Sequence, residues 1–149
     1  WLAHVASAEG ITAVEHLVGL NPESMRYDNI PGCTYCHPEV ASVGLTEKKA
    51  VEQGYEIKVG TFPFRGLGKS MATGETDGFV KVIYDVKYGE MLGCHIIGAE
   101  ATNLITEAVI ARNLETTHYS MLKTIHPHPT LSEAIMEATA DALGEAIHL

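Results

Sequence analysis

The chain has 149 residues, enough for one domain with a core of its own, since a chain of this size buries roughly 70% of the surface it exposes when unfolded. Its 19 acidic residues against 10 basic ones give a formal charge of -9, which repels a phosphate backbone and argues against nucleic acid as a partner, and the sequence has no apolar run of the ~18 residues that a membrane-spanning helix needs. Three cysteines, an odd number outside any disulfide-dense framework, point to a reducing compartment, the cytoplasm.

The opening stretch WLAHVASAEG has no basic start, apolar segment and small-residue cleavage site in succession, and it reads as the interior of a longer chain rather than a signal peptide. Residues 1–19 are predicted helical, with Leu2, Val5, Ala6, Ile11, Ala13, Val14, Leu17 and Val18 in an imperfect apolar stripe and Gly19 placed to end it. Asn21 to Gly32, with two prolines and two asparagines, reads as a loop. Thr34 to Val43 reads as extended around His37 and Pro38. Thr46 to Gln53 is a short helix closed by Gly54, and Tyr55 to Phe64 is a strand with Ile57, Val59 and Thr61 on one face. Arg65 to Thr76 is less regular, and Gly66 to Ser70 within it is expected to be an exposed connection.

Two β-rich runs follow, Gly78 to Tyr84 and Met91 to Ile97, joined through Asp85 to Glu90 with Gly89 supplying the turn, which predicts a hairpin. Leu104, Ile105, Ala108, Val109 and Ala111 recur at helical spacing between Ala101 and Leu114, and Thr117 to Leu122 suggests a further short helix. Thr130 is placed as the N-cap of a last helix running toward Leu143, with Glu133 three residues on completing a capping box. Strands first and helices last predict an α+β fold, an antiparallel β-sheet with helices packed on one face.

The chemistry concentrates in IHPHPTLSEA, residues 125–134, where two histidines and two prolines precede that last helix. Each proline fixes its own φ and restricts its predecessor, so His126 and His128 are held extended; whether either X-Pro bond is cis stays open. His128 and Glu133 are five residues apart, too far to meet on a continuous helix, but an extended segment leading into a helical turn brings the carboxylate back to the imidazole. A carboxylate on one ring nitrogen fixes the tautomer and leaves the other free to exchange a proton near neutral pH. The plainer alternative is that Glu133 only satisfies free amides at the helix start, worth about 1 kcal/mol, and that the histidines are surface residues.

HPHPTLSEA at 126–134 resembles the signature of the flavin-dependent pyridine nucleotide-disulfide oxidoreductases. TYCHPEVASVGLTE at 34–47, TDGFVKV at 76–82 and LGCHIIGAEATNLI at 92–105 are similar to the dihydrolipoamide dehydrogenase branch of that family in particular. The resemblance implies a carboxy-terminal interface domain at residues 32–149, a linker at 21–31, and in residues 1–20 the tail helix of a preceding FAD-binding region. It implies homodimerisation, His128 as the base that deprotonates a dihydrolipoamide thiol, and Glu133 as the group that orients it, with His128 and Pro129 lying near the FAD of the partner subunit. FAD and NAD belong to the full-length enzyme, and the lipoyl domain of a 2-oxo acid dehydrogenase or glycine cleavage complex is its protein partner. The fragment alone is expected to bind neither cofactor and to be inactive, because no G-x-G-x-x-G opens a βαβ unit here.

His126 is given a structural place, and Pro127 stands where alanine is common in relatives. Two alternatives remain: a purely structural dimerisation module, or the interface domain of another flavin disulfide reductase such as a glutathione reductase. The TYCHPEVASVG stretch and the LSEA ending favour the lipoamide branch.

Three other features are set aside. Cys33 and Cys36 form a C-x-x-C in an extended segment rather than at a helix start, and a zinc site built on them lacks paired partners, so no metal is expected. Gly66 to Ser70 ends like a phosphate-binding loop, but Pro63 occupies the position of the opening glycine and no helix is expected to follow. The remaining histidines read as solvated or core residues.

Overall fold

The computed structural model describes residues 1–148. It begins with helix α1 (Ala3–Leu17), in which no residue is buried. A single 3-10 turn at Tyr27–Asn29 packs on the body of the domain, where Asn29 is buried and its amide donates to the Val109 carbonyl at 2.9 Å. The predicted extended stretch around His37 is two strands, β1 (Gly32–Thr34) and β2 (Glu39–Gly44), paired antiparallel with Cys33 opposite Ala41. The chain reverses between them where Pro38, which has no amide hydrogen to pair, follows a cis His37–Pro38 bond.

Helix α2 (Glu47–Glu52) starts where expected, its first turn capped by the Thr46 hydroxyl, which accepts from the Lys49 amide at 3.3 Å. Strand β3 (Ile57–Pro63) is followed by helix α3 (Gly68–Thr73), which corrects the expectation of a helix-free connection. Propensity alone does not make six residues opening on glycine helical. Leu67 and Ser70 are buried against the domain, and that tertiary packing fixes the turn.

Strands β4 (Gly78–Asp85) and β5 (Met91–Gly98) form the predicted hairpin, with Gly89 at φ 77° in the turn. The Asp85 carboxylate accepts from the Tyr88 amide at 2.7 Å and steadies that turn. Helices α4 (Ala101–Asn113) and α5 (His118–Lys123) follow within a residue or two of their expected limits.

Helix α6 (Glu133–Leu143) begins two residues later than the capping-box reading placed it, and Ser132, not Thr130, precedes it. The Thr130 hydroxyl is turned back toward the Pro127 carbonyl, to which it donates at 2.7 Å, and no amide of α6 donates to it. Half of the box survives, because Glu133 still accepts from the Thr130 amide at 2.8 Å.

The five strands make one antiparallel sheet in the order β1-β2-β5-β4-β3. Alternation along the strands sends Ala41, Val43, Phe62, Val80, Val82, Tyr84, Cys94 and Ile96 to one face, where they meet Ile105 and Ala108 of α4 and Ala134, Ile135 and Ala138 of α6. Gly60 is what lets α6 approach: a Cβ there would overlap the Ala138 carbonyl and the Ala142 amide. Within this core the Tyr84 and Thr139 hydroxyls share a hydrogen bond of 2.8 Å, so the largest buried side chain carries no unpaired polar atom. The opposite face is only partly covered, by α2, whose Ala50 sits with Ile83 and Leu92. No helix among the described residues is long and apolar enough to cross a membrane.

Candidate functional site

The sheet fixes α4 and α6, and the segment between α5 and α6 hangs from both. Helix α4 is anchored by packing and by Glu39 of β2, whose carboxylate accepts from the Thr102 amide at 2.9 Å and the Thr102 hydroxyl at 2.8 Å in the first turn. Thr124 leaves α5 extended, and His126, Pro127, His128 and Pro129 lead into α6 through a cis His128–Pro129 bond.

Geometry along this segment brings His128 and Glu133 together. The His128 Nδ1 lies 2.9 Å from the Glu133 Oε1, while the Glu133 Oε2 takes the Thr130 amide, so both carboxylate oxygens are engaged. Burial works against ionisation of Glu133, but the Thr130 amide, the His128 ring and the neighbouring charges of His128 and His126 outweigh it and hold the carboxyl below its ordinary range. An ionised carboxylate accepts only, so Nδ1 donates and the neutral ring presents Nε2 as its basic nitrogen. That nitrogen has no hydrogen-bond partner among the described residues, and the side chain is 74% exposed against 17% for Glu133. The pair is thus a carboxylate set in the domain surface that steers a ring pointing away from it.

The ring borders a cavity of about 150 Å³ shared with Phe62, Leu67, Glu133, Met136 and His148. Larger hollows, of about 440 and 510 Å³, lie along α1 and residues 24–31 and do not touch His128. Both are open and mainly apolar in their lining, whereas the small cavity brings His128, Glu133, Glu137 and His148 together.

His126, on the same segment, faces inward with a side chain only 5% exposed. Its Nε2 is 2.7 Å from the Glu107 Oε1 and its Nδ1 is 3.0 Å from the Thr124 carbonyl. The bond to Glu107 raises the imidazole above its ordinary value, against the opposing effect of burial. Sequence reasoning missed Glu107. Its one signal there was a place within the apolar stripe of α4, three residues after Leu104 and beside Ala108, where a carboxylate needs a partner.

Of the remaining histidines, His148 is paired with the buried Glu137 at 2.6 Å, and His95 lies 3.0 Å from the Leu45 carbonyl. Pro129 directly follows His128 and is exposed. Cys33 is partly buried, its thiol raised by burial and by Glu39, and burial pushes the Cys94 thiol up to about 12, so neither is primed as a thiolate. Among the described residues no three His, Cys, Asp or Glu side chains converge as a metal ligand set. The antiparallel sheet contains no βαβ unit of the kind that binds dinucleotides.

Residues 30–139 match the family model described as the pyridine nucleotide-disulphide oxidoreductase dimerisation domain. The chain is 51% identical over 148 residues to the dihydrolipoyl dehydrogenase of Zymomonas mobilis, covering 99% of this chain and 32% of that enzyme. It is 52% identical over 147 residues to the dihydrolipoyl dehydrogenase of Bacillus subtilis, covering 99% and 31%. It therefore spans about a third of the length of these relatives, the carboxy-terminal third. Among solved structures, LpdA of Mycobacterium tuberculosis superposes with a TM-score of 0.87 at 25% identity, over 93% of this chain and 30% of that one. The flavoprotein disulfide reductase RclA of Escherichia coli, at 23% identity and a TM-score of 0.86, shares the fold over 93% of this chain and 32% of its own.

Proposed function

Because this chain belongs to the pyridine nucleotide-disulphide oxidoreductase dimerisation domain family, we propose that it serves as the interface domain of a dihydrolipoamide dehydrogenase and supplies the base for thiol oxidation. In this reading residues 32–149 are the interface domain, residues 21–31 a linker, and residues 1–20 part of the preceding region. The enzyme is a cytoplasmic homodimer, oxidising dihydrolipoamide carried on a lipoyl domain. FAD and NAD, held by the other two thirds of such an enzyme, supply the onward electron transfer from its redox disulfide.

The observation that carries the reading is the His128–Glu133 pair with Nε2 unengaged. Nε2 takes the proton of one dihydrolipoamide thiol, leaving a thiolate and an imidazolium that the Glu133 carboxylate stabilises. The thiolate attacks one sulfur of the enzyme's disulfide, forming a mixed disulfide and releasing the second enzyme sulfur as a thiolate. His128 passes its proton to the released enzyme thiolate and takes that of the second substrate thiol, whose thiolate attacks the substrate sulfur of the mixed disulfide, expelling the other enzyme sulfur and leaving oxidised lipoamide and a reduced enzyme pair. His128 and Pro129 project from their own domain, which suits a base that works beside the partner subunit's flavin rather than inside this domain.

The test is His128→Gln in the full-length enzyme, with flavin reduction by dihydrolipoamide followed in a stopped-flow instrument. Loss of a general base predicts a fall of about 10²–10⁴-fold with the fold intact. An unchanged rate refutes the assignment.

A further inference from the structure

Glu107 holds the segment that carries His128 from both ends, yet the proton transfer makes no use of it. Its Oε1 lies 2.7 Å from the His126 Nε2, and its Oε2 accepts from the Ser132 hydroxyl at 2.9 Å. His126 stands two residues before His128, and Ser132 stands immediately before Glu133. One carboxylate on α4 therefore spans the whole stretch on which the pair is built. The second ring nitrogen of His126 faces the Thr124 carbonyl, so both nitrogens meet acceptors and the ring cannot rotate without losing a bond. The His126 side chain is 5% exposed and that of Glu107 29%, so water competes weakly for the contact, unlike an exposed ion pair. Helix α4 is a fixed reference, with Ile105 and Ala108 in the core on either side of Glu107.

We propose that Glu107 is a positioning residue for the His128–Glu133 pair, holding its segment in register through His126 and Ser132 while touching neither substrate nor the reacting atoms. The inference rests on His128 being the base. A proton transfer tolerates little misplacement, since a shift of ~1 Å can cost about 10²-fold, and the segment that carries His128 is otherwise exposed at Pro127 and Pro129.

The experiment uses the full-length enzyme with Glu107→Ala and Glu107→Gln, each alone and combined with His128→Gln. Glu107→Ala is expected to lower kcat for dihydrolipoamide oxidation by about 10–100-fold with little change in KM, by analogy with other residues that orient a reacting group from behind. NADH-driven reduction of an artificial acceptor, which needs no thiol exchange, stays at the wild-type rate, as does the dimer mass, while the thermal midpoint falls modestly with the lost bonds to His126 and Ser132. Glu107→Gln keeps the shape and one accepting oxygen, folds normally, and falls between wild type and Glu107→Ala.

In the His128→Gln background neither Glu107 change has a further effect, because the group being positioned is gone. Three results overturn the proposal: normal turnover in Glu107→Ala, an equal loss in the artificial-acceptor reaction, or additive losses in the double variant. His128→Gln alone distinguishes the failures. If that variant turns over normally the base assignment falls and takes the proposal with it; if it is slow while Glu107→Ala is normal, only the positioning role falls.

Discussion

Glu133 and His126 place opposite demands on pH, and together they bound the range in which the segment is held. Glu133 has a carboxyl lowered in the folded state, so its contribution to stability is complete above the ordinary carboxylate value of 4.5 and is lost as pH falls through the lowered value. His126 is raised, above all by Glu107, so its contribution is complete below the ordinary histidine value of 6.5 and is lost as pH rises through the raised one. Thermal unfolding followed across pH should therefore show a decline beginning just above pH 6.5, and Glu107→Gln should flatten it while leaving the acid limb in place. A decline unchanged by the substitution would assign it to other groups. At this scale the sequence was informative about His128 and Glu133, because the prolines and the spacing restrict where the two side chains can go. It was uninformative about Glu107, whose partners lie 19 and 25 residues away and meet it only where the segment before α6 folds back onto α4.

Elements with strong periodicity or a clear turn residue were legible: the β4–β5 hairpin, α4, and α2 with Gly54 closing it. Elements set by tertiary contact were not. Helix α3 exists because Leu67 and Ser70 find buried places, and the split into β1 and β2 reflects pairing partners such as Cys33 and Ala41 that no local pattern encodes. The start of α6 shows a third kind of failure, in which the pattern was present but the Thr130 side chain is turned toward the Pro127 carbonyl, away from the helix amides.

Glycine gives the element scale its sharpest test. Gly60 permits α6 to lie on β3, and Gly60→Ala should destabilise the domain by about 1–3 kcal/mol or more because backbone on the helix cannot retreat. Gly10, in α1, has open space where a Cβ would stand, with nothing within 4 Å, and should instead gain up to ~1 kcal/mol when changed to Ala. Urea unfolding of the two variants measures both, and equal effects would contradict the close packing of α6 on the sheet.

At the scale of the whole molecule, the features that look unfinished share one explanation. Helix α1 exposes Ile11, Val14, Leu17 and Val18, one sheet face is partly open at Phe79, Ile125 is 94% exposed, and the His128 ring points out of its own domain. Surface of this kind is what a domain presents when it is completed by a neighbouring region and a second subunit. The family match and the coverage of only a third of each relative point the same way. The family was legible in the sequence because HPHPTLSEA and three further motifs are continuous stretches in order. Which surface meets which neighbour was not, because a contact surface is assembled from residues far apart in the chain.

The most direct measurement is the activity of a hybrid dimer of the full-length enzyme, one subunit carrying His128→Gln and the other with its redox cysteines replaced by serine. Each parent homodimer should be almost inactive. If His128 serves the disulfide of the partner subunit, the hybrid contains one complete site and recovers about half the wild-type activity. A hybrid no more active than its parents would contradict the account, because it would mean that each His128 works only within its own subunit or does not work as the base.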